Sequence, residues 1–507
     1  MPAPHDFDVV IAGGGPVGVF LSAELRLAGI RSVVVERLAE RSPHSKAFGL
    51  HSRSMEVLDR RGLIDRFTDG ARSWSNGHFA GQDVWIDFSV LDSSHAYALL
   101  VQQTRTEELL EEHARESGVD IRRSHEITGV SQDEDGVTVQ VTGGGADYAL
   151  RGRYLIGCDG GRSLVRKAAG IPFPGQGGRV TARLADVVLA DGENAPMGME
   201  RTENGLLFCV SLEEGVHRVA TFDYTEEGRK SPDETLTLEE FQDSMRKVFG
   251  TDLGAHDARW LSWFTDSARQ AETYRQGRIL LAGDAAHTHF PVGGQGLNLG
   301  LQDAFNLGWK LAAEVNGWAP EGLLDTYNAE RRPPAEGVIG NTLAQIALMN
   351  PDPIVTPLRD MFNQLMELPD VNRFLAGMIA GVDVRYPPQD GTHHRLVGDF
   401  ARDMVLHGAD GDDVQLAHLL RPGKPVLVDL SGQAETGATL ARWAAAADAG
   451  DRVRSFAGTA DAAPDLAALL IRPDGYVAWA ADRDAAPGEL ADGLYQALST
   501  WFGHPAS

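Results

Sequence analysis

The stretch FDVVIAGGGPVGVFLSAELRLAGIRSVVVER, residues Phe7 to Arg37, decides the fold. Phe7–Ala12 is a short β-rich run suited to a parallel strand covered on both faces. Pro16–Ala28 has helical character and ends at Gly29, a natural C-cap residue. Ser32–Val35 reads as a second strand, so strand, turn, helix and strand follow one another as in a βαβ unit. Gly13 permits the tight turn, Gly15 lets the backbone approach a pyrophosphate, and Gly18 lets the helix pack on the strand. The helix start offers free N–H groups and a positive dipole end to phosphate. At the end of the second strand, the Glu36 carboxylate can accept hydrogen bonds from both ribose hydroxyls. The stretch therefore predicts a dinucleotide cradle, without separating NAD from FAD.

Working outward, 507 residues suggest roughly three domains. A net charge of -26 argues against non-specific binding to nucleic acid or to an anionic membrane. The two cysteines, Cys158 and Cys209, form no CxxC, which disfavours a zinc site and excludes a disulfide framework. The start MPAPHDFD lacks the basic, apolar pattern of a signal peptide, and no apolar run suits a spanning helix. A cytoplasmic protein is the expectation.

Two further segments narrow the cofactor. In GRILLAGDAAHTHFPVGGQGLNLGLQDAFNLGWKL, Gly277–Leu311, Asp284 follows a strand, where a carboxylate can hold a polyol such as the ribityl chain of a flavin. The loop from Pro291 to Asn298 then opens a helix predicted over Leu299–Leu311. The N–H groups of Gly296, Leu297 and Asn298 point ahead of it, a suitable partner for the negative charge of a reduced flavin. In YLIGCDGGRSLVRKAAG, Asp159 and Gly160 follow a strand, with Arg162, Ser163 and Arg166 beyond at helical spacing. Between these segments, about Pro174 to Arg275, the chain reads as a strand-rich insert with one helix in LTLEEFQDSMRKVFG. A helix follows through YNAERRPPAEGVIGNTLAQIALM with a break expected at Pro333–Pro334. PPQDGTHH, Pro387–His394, reads as a linker to a last unit with strands in KPVLVDL and ALLIRPDGYVAW and an alanine-rich helix over Gly437–Ala449.

Together, GxGxxG, DG and GD in this order resemble the class A flavoprotein monooxygenases, single-component aromatic hydroxylases of the para-hydroxybenzoate hydroxylase fold. The resemblance covers essentially the whole chain. The stretch LGLQDAFNLGWKLAAEVNGWAPEGLLDTYNAERRP is similar to the actinobacterial branch that hydroxylates aromatic polyketides, which rifampicin monooxygenases share. It implies an α/β fold: a Rossmann-like FAD-binding domain over 1–174 and 275–390, and an inserted β-rich substrate domain over 175–274, with or without part of 72–101. A thioredoxin-like C-terminal domain over 391–507 completes it, with a packing or dimerisation role because it lacks a CxxC. It also implies a flavin contact for Gln103, which precedes Glu107 by four residues in VQQTRTEELL, and a basic contact near the flavin for Lys46, where many members carry arginine. Lysine keeps the charge there and loses the bidentate fork. Arg53, in the same segment, can be a helix-surface charge.

The implied activity is aromatic hydroxylation by FAD, NADPH or NADH, and O2 through a flavin C4a-hydroperoxide. Pro291 lies in the loop facing that group, and Gly296, Leu297 and Asn298 stabilise reduced flavin. The expected substrate is a bulky polyketide-like phenol, and the protein a monomer or homodimer. Baeyer–Villiger oxidation, rifamycin-type drug inactivation and a non-catalytic FAD sensor are the rivals. His287 and His289 lack further ligands at metal spacing, so no metal is expected. His51, His217 and His256 read as scaffold, and WLSWF, Trp260–Phe264, as core.

Overall fold

The computed structural model describes residues 5–213, 215–225, 235–389, 394–409 and 411–503. Phe7–Ala12 forms strand β1, whose last four residues are buried. It pairs in parallel with β2 (Ser32–Glu36) on one side and with Ala146–Gly157 on the other. Asp120–Arg123 extends the sheet beyond β2, and Ile279–Leu281 lies parallel to Ala146–Gly157. Valine and isoleucine dominate the central strands because helices cover the sheet and leave no polar face. The helix α1 (Pro16–Leu27) packs against the long helix Gln295–Val315, of which nearly every residue is buried. A helix apolar on most of its circumference belongs in a core.

The insert forms five antiparallel strands in the spatial order Gly198–Arg201, Gly205–Glu213, Val216–Asp223, Thr181–Leu189, Ala255–Thr265. Alternation splits its side chains between two cores. Ala185, Val187, Leu207, Cys209 and Val219 pack on the helix Leu238–Phe249, which starts with a Thr237/Glu240 capping box. Ala182, Leu206, Ala220 and Phe222 face the other way, against Phe290, Val292, Leu348 and Met349. The last unit is a mixed six-stranded sheet with helices Ala434–Ala446 and Pro487–Phe502. Its Trp443, Trp479 and Trp501 share a core with Trp309 of the long helix. Among the described residues no helix is long and apolar enough to cross a membrane.

Several expectations need correction. The helix Thr326–Met349 runs unbroken through Pro333 and Pro334. The prolines remove two N–H donors, yet the preceding turn is pinned from outside: Tyr327 Oη donates to the Leu281 carbonyl and Gln270 Nε2 to that of Arg332. The long helix begins at Gln295, four residues before the expected Leu299, because Gly293 and Gly294 take left-handed φ of 77° and 65° and turn the chain early. Trp260–Phe264 is half-buried on an edge strand: Leu261 and Trp263 pack against one core and Phe264 against the other, while Trp260 is stacked 5.1 Å from His44. Arg53 is no surface charge; it is 4% exposed, paired to Glu56 and stacked on Phe400. The alanine-rich helix lies over Ala434–Ala446, three residues earlier than expected. Of the linker Pro387–His394, residues 390–393 lie outside the described residues.

Candidate flavin site

Ala12 stands level with Val35 on β2 and with Gly157, and Gly157 is level with Leu281. Four parallel strands therefore end side by side, placing Glu36, Gly13–Gly15, Asp159–Gly160 and Gly283–Asp284 in one row. Carboxyl ends of an open parallel sheet are where such folds bind ligands. Gly13 has φ of +106°, and a Cβ on it would stand 2.4 Å from the Cys158 carbonyl oxygen. A Cβ on Gly18 would stand 2.2 Å from the Gly13 oxygen, which accounts for close packing of α1 on the loop. Gly15 differs: a Cβ there meets nothing within 4 Å. It opens onto free space at the start of α1, which has no side-chain cap and no acid in its first turn. That is the donor arrangement a pyrophosphate needs.

The acids divide by task. Glu36 accepts from Gly14 N–H at 2.7 Å and Leu38 N–H at 2.8 Å, so it shapes the loop. Asp159 is committed to its own loop, accepting from Ser163 Oγ, Leu164 N–H and Val165 N–H. Asp284 is exposed beside Gly283, whose φ is +60°. Gln103 accepts from the Lys46 and Ala47 N–H groups and donates to Glu107 at 2.7 Å, so it holds the segment from which exposed Lys46 projects.

The Gln295–Val315 helix also starts without a side-chain cap or an acid in its first turn. Gly296 and Leu297 fall in that turn, while Asn298 begins the next. The Asn298 side chain is a brace: Oδ1 accepts from His51 N–H, and Nδ2 donates to the Gly49 and Gly294 carbonyls. His51 is scaffold, its ring nitrogen on the Gly293 carbonyl and its pKa pushed down by burial. Open space at one uncapped helix start, a second such start, and an exposed acid at the end of the row fit an extended flavin dinucleotide.

A family model described as "FAD binding domain" matches residues 6–342, and one described as "Aromatic-ring hydroxylase, C-terminal" matches residues 394–505. The chain is 47% identical over 516 residues to the 12-dehydrotetracycline 5-monooxygenase/anhydrotetracycline 6-monooxygenase of Streptomyces rimosus, covering 99% of both chains. It is 44% identical to the rifampicin monooxygenase of Streptomyces venezuelae, over 98% of this chain and 99% of that one. The solved structure of OxyS anhydrotetracycline hydroxylase from Streptomyces rimosus superposes with a TM-score of 0.91 at 46% identity, covering 99% of this chain and 100% of that one. The chain belongs to the FAD-dependent aromatic-ring hydroxylases. It is a flavin-dependent monooxygenase of the class A fold.

In this hydroxylase the exposed Pro291 follows buried Phe290, which sits 5.4 Å from Phe222 and 5.6 Å from Phe264 on the inserted sheet. Four residues before Phe222 on the same strand, Arg218 forms a buried fork on Asp186 and donates to the Ser45 carbonyl, fastening the sheet to the Lys46 segment. On the outside, Arg162, Arg166, Lys167 and Arg269 line a cavity of about 690 Å³ that reaches Thr288. Arg166 also donates to the Ala285 and Gly161 carbonyls, tying the DG loop to the GD loop.

Sequence reasoning missed Asp303 and Arg331, both fully buried. Asp303 accepts from Gly283 N–H, His287 Nε2 and Arg331 Nε. Burial alone would raise the Asp303 carboxyl; the charges and hydrogen bonds of His287 and Arg331 hold it below its usual range. The available signal was charge inside apolar helical patterns, in LQDAF and AERRP.

Proposed function

We propose that this hydroxylase uses NAD(P)H and O2 to place one oxygen on a bulky, phenol-like polycycle of the aromatic polyketide kind. The observation that carries this reading is the apolar, aromatic-lined face of the inserted sheet set against the Phe290–Pro291 loop. Sites of that kind hold large ligands by apolar area with a few polar anchors. The tetracycline-type and rifampicin relatives support a fused-ring or similarly bulky ligand.

FAD, when bound, accepts hydride and activates dioxygen, chemistry the side chains do not supply. The chain's own part is binding, orientation and exclusion of water. In this reading Gly13, Gly15 and Gly18 let the start of α1 meet the pyrophosphate. Glu36 takes the ribose and Asp284 the ribityl chain. The N–H groups of Gly296, Leu297 and Asn298 would meet the negative charge of the reduced flavin, and Lys46, Gln103, Asp159 and Gly160 would help to hold the cofactor. Pro291 shields the reactive side. Arg162, Lys167 and Arg269 at the outer cavity receive the phosphates of NAD(P)H, in a chain otherwise acidic, while buried Arg166 holds the two loops beneath them. Residues 1–174 with 275–390 serve the cofactor and 175–274 the substrate.

The test is flavin reduction by NADPH in the presence of polycyclic and single-ring phenols. Faster reduction with the polycycles, and a product heavier by one oxygen, is expected. Efficient turnover of a simple hydroxybenzoate with no response to polycycles contradicts the substrate assignment.

A further inference from the structure

We propose that the C-terminal unit supplies positioning residues to the flavin site: Arg472 and Asp474, acting through Glu330 and Asn306, set where the Gly283–Asp284 turn and the Gln295–Val315 helix stand. The inference rests on the reading that these two elements face the flavin.

Arg472 and Asp474 flank Pro473 in the tight turn between strands Leu466–Ile471 and Val477–Asp482. Gly475 completes that turn at φ of 81°, and the turn brings both side chains together, Arg472 Nε on Asp474 Oδ1 at 2.9 Å. Arg472 also forks onto Glu330 at 2.7 and 2.8 Å. Lys310 Nζ reaches Glu330 at 2.7 Å, and Asn306 Nδ2 bridges Glu330 and Asp474 at 2.7 and 3.1 Å. Two cations thus balance two anions, and the four charged side chains are at most 2% exposed.

The next residue carries the connection forward. Arg331 donates to Asp303, to the Leu299 carbonyl and to Tyr386 Oη. Asp303 holds Gly283 N–H and His287. Tyr386 stacks on Tyr476 of the C-terminal unit at 3.8 Å. Two adjacent residues of one helix are therefore held by different partners, Glu330 by the C-terminal turn and Arg331, through Asp303, by the flavin turn.

Apolar residues of equal volume would hold two units together at least as firmly as a buried ionic cluster. An arginine fork on a carboxylate adds a fixed distance and angle. That is the requirement of a part that positions rather than merely attaches.

The test uses the full-length protein carrying Arg472→Met, Arg472→Lys, Asp474→Asn or Tyr386→Phe. Expected for Arg472→Met is a loss of about tenfold in FAD affinity, a shifted flavin reduction potential, and faster amide exchange at 283–287 in the FAD-free protein. Arg472→Lys should restore part of each. Asp474→Asn and Tyr386→Phe each remove one link, and decide the matter if Arg472→Met does not fold. Variants with lower melting temperature but unchanged FAD affinity, potential and exchange at 283–287 would overturn the proposal. A wild-type chain that takes up no FAD defeats the functional reading instead, and the exchange at 283–287 still decides whether the C-terminal turn controls that segment.

Discussion

Gly13 and Gly15 sit two residues apart and predict opposite outcomes. Alanine at Gly13 must enter the Cys158 backbone at a φ that L side chains rarely adopt, so the variant should be poorly folded with or without flavin. Alanine at Gly15 meets open space at φ of -76°, so the FAD-free protein should melt near the wild-type temperature while FAD affinity drops by about tenfold or more. Fluorescence titration of the FAD-free variants, paired with their melting curves, separates the two; equal behaviour would contradict the cradle. Asp284→Ala should weaken FAD by roughly ten- to a hundredfold, as loss of a charge-assisted hydrogen bond worth about 1.5–3 kcal/mol. A folded Asp284→Ala variant with unchanged affinity would remove Asp284 from the site. Glycines of this kind were legible because their requirement is local: a turn, a close approach, a left-handed φ. Asp303 and Arg331 were not, since a carboxylate in a helical pattern does not disclose a cation 28 residues away. The same holds for Glu36 and Asp159, whose backbone partners appear only once the loops are folded.

At the scale of elements, the helix Thr326–Met349 shows tertiary contact overriding local preference. Its proline pair reads as a break, and outside hydrogen bonds keep it whole. Glu330 on that helix links it to acid sensitivity. Burial pushes the Glu330 carboxyl up, but Arg472 and Lys310 hold it down at about 2. A folded pKa below the unfolded one stabilises fully above about pH 4.5, and that stability is lost as pH falls towards 2. The contribution at neutral pH is roughly 3 kcal/mol. Glu330→Gln should be less stable than wild type at pH 7, and the gap should narrow as pH is lowered to 3. Denaturant unfolding at the two pH values measures it; a gap that stays constant would contradict the ion-pair account. Strand and helix identities along the nucleotide-binding segment and the insert were readable from apolar alternation and caps. Helix starts were read less well, as at Gln295, where two left-handed glycines begin the helix four residues early.

For the whole molecule, the linker composition and missing motifs read as a separable C-terminal unit. The folded chain argues otherwise. Removing the chain from His394 onward would leave Lys310 and Glu330 without Arg472 and Asp474, and would uncover Trp309. Breaking a buried ionic cluster by removing one side costs about 3–5 kcal/mol, a large share of a domain's stability. Such a truncate should be aggregated or unfolded by circular dichroism and gel filtration; a folded, FAD-binding truncate would contradict this. The sequence could not show the coupling, because both halves of the cluster look like ordinary surface charge until the C-terminal turn meets the two helices.

The proposed activity is transfer of one oxygen atom from O2 to a bulky phenolic ring. Turnover under oxygen-18 gas, with NADPH and a polycyclic phenol, measures it directly by product mass. One labelled oxygen per product, in step with NADPH consumed beyond peroxide release, is the predicted result. A product that carries no label, or that is only an isomer of the substrate, would contradict it.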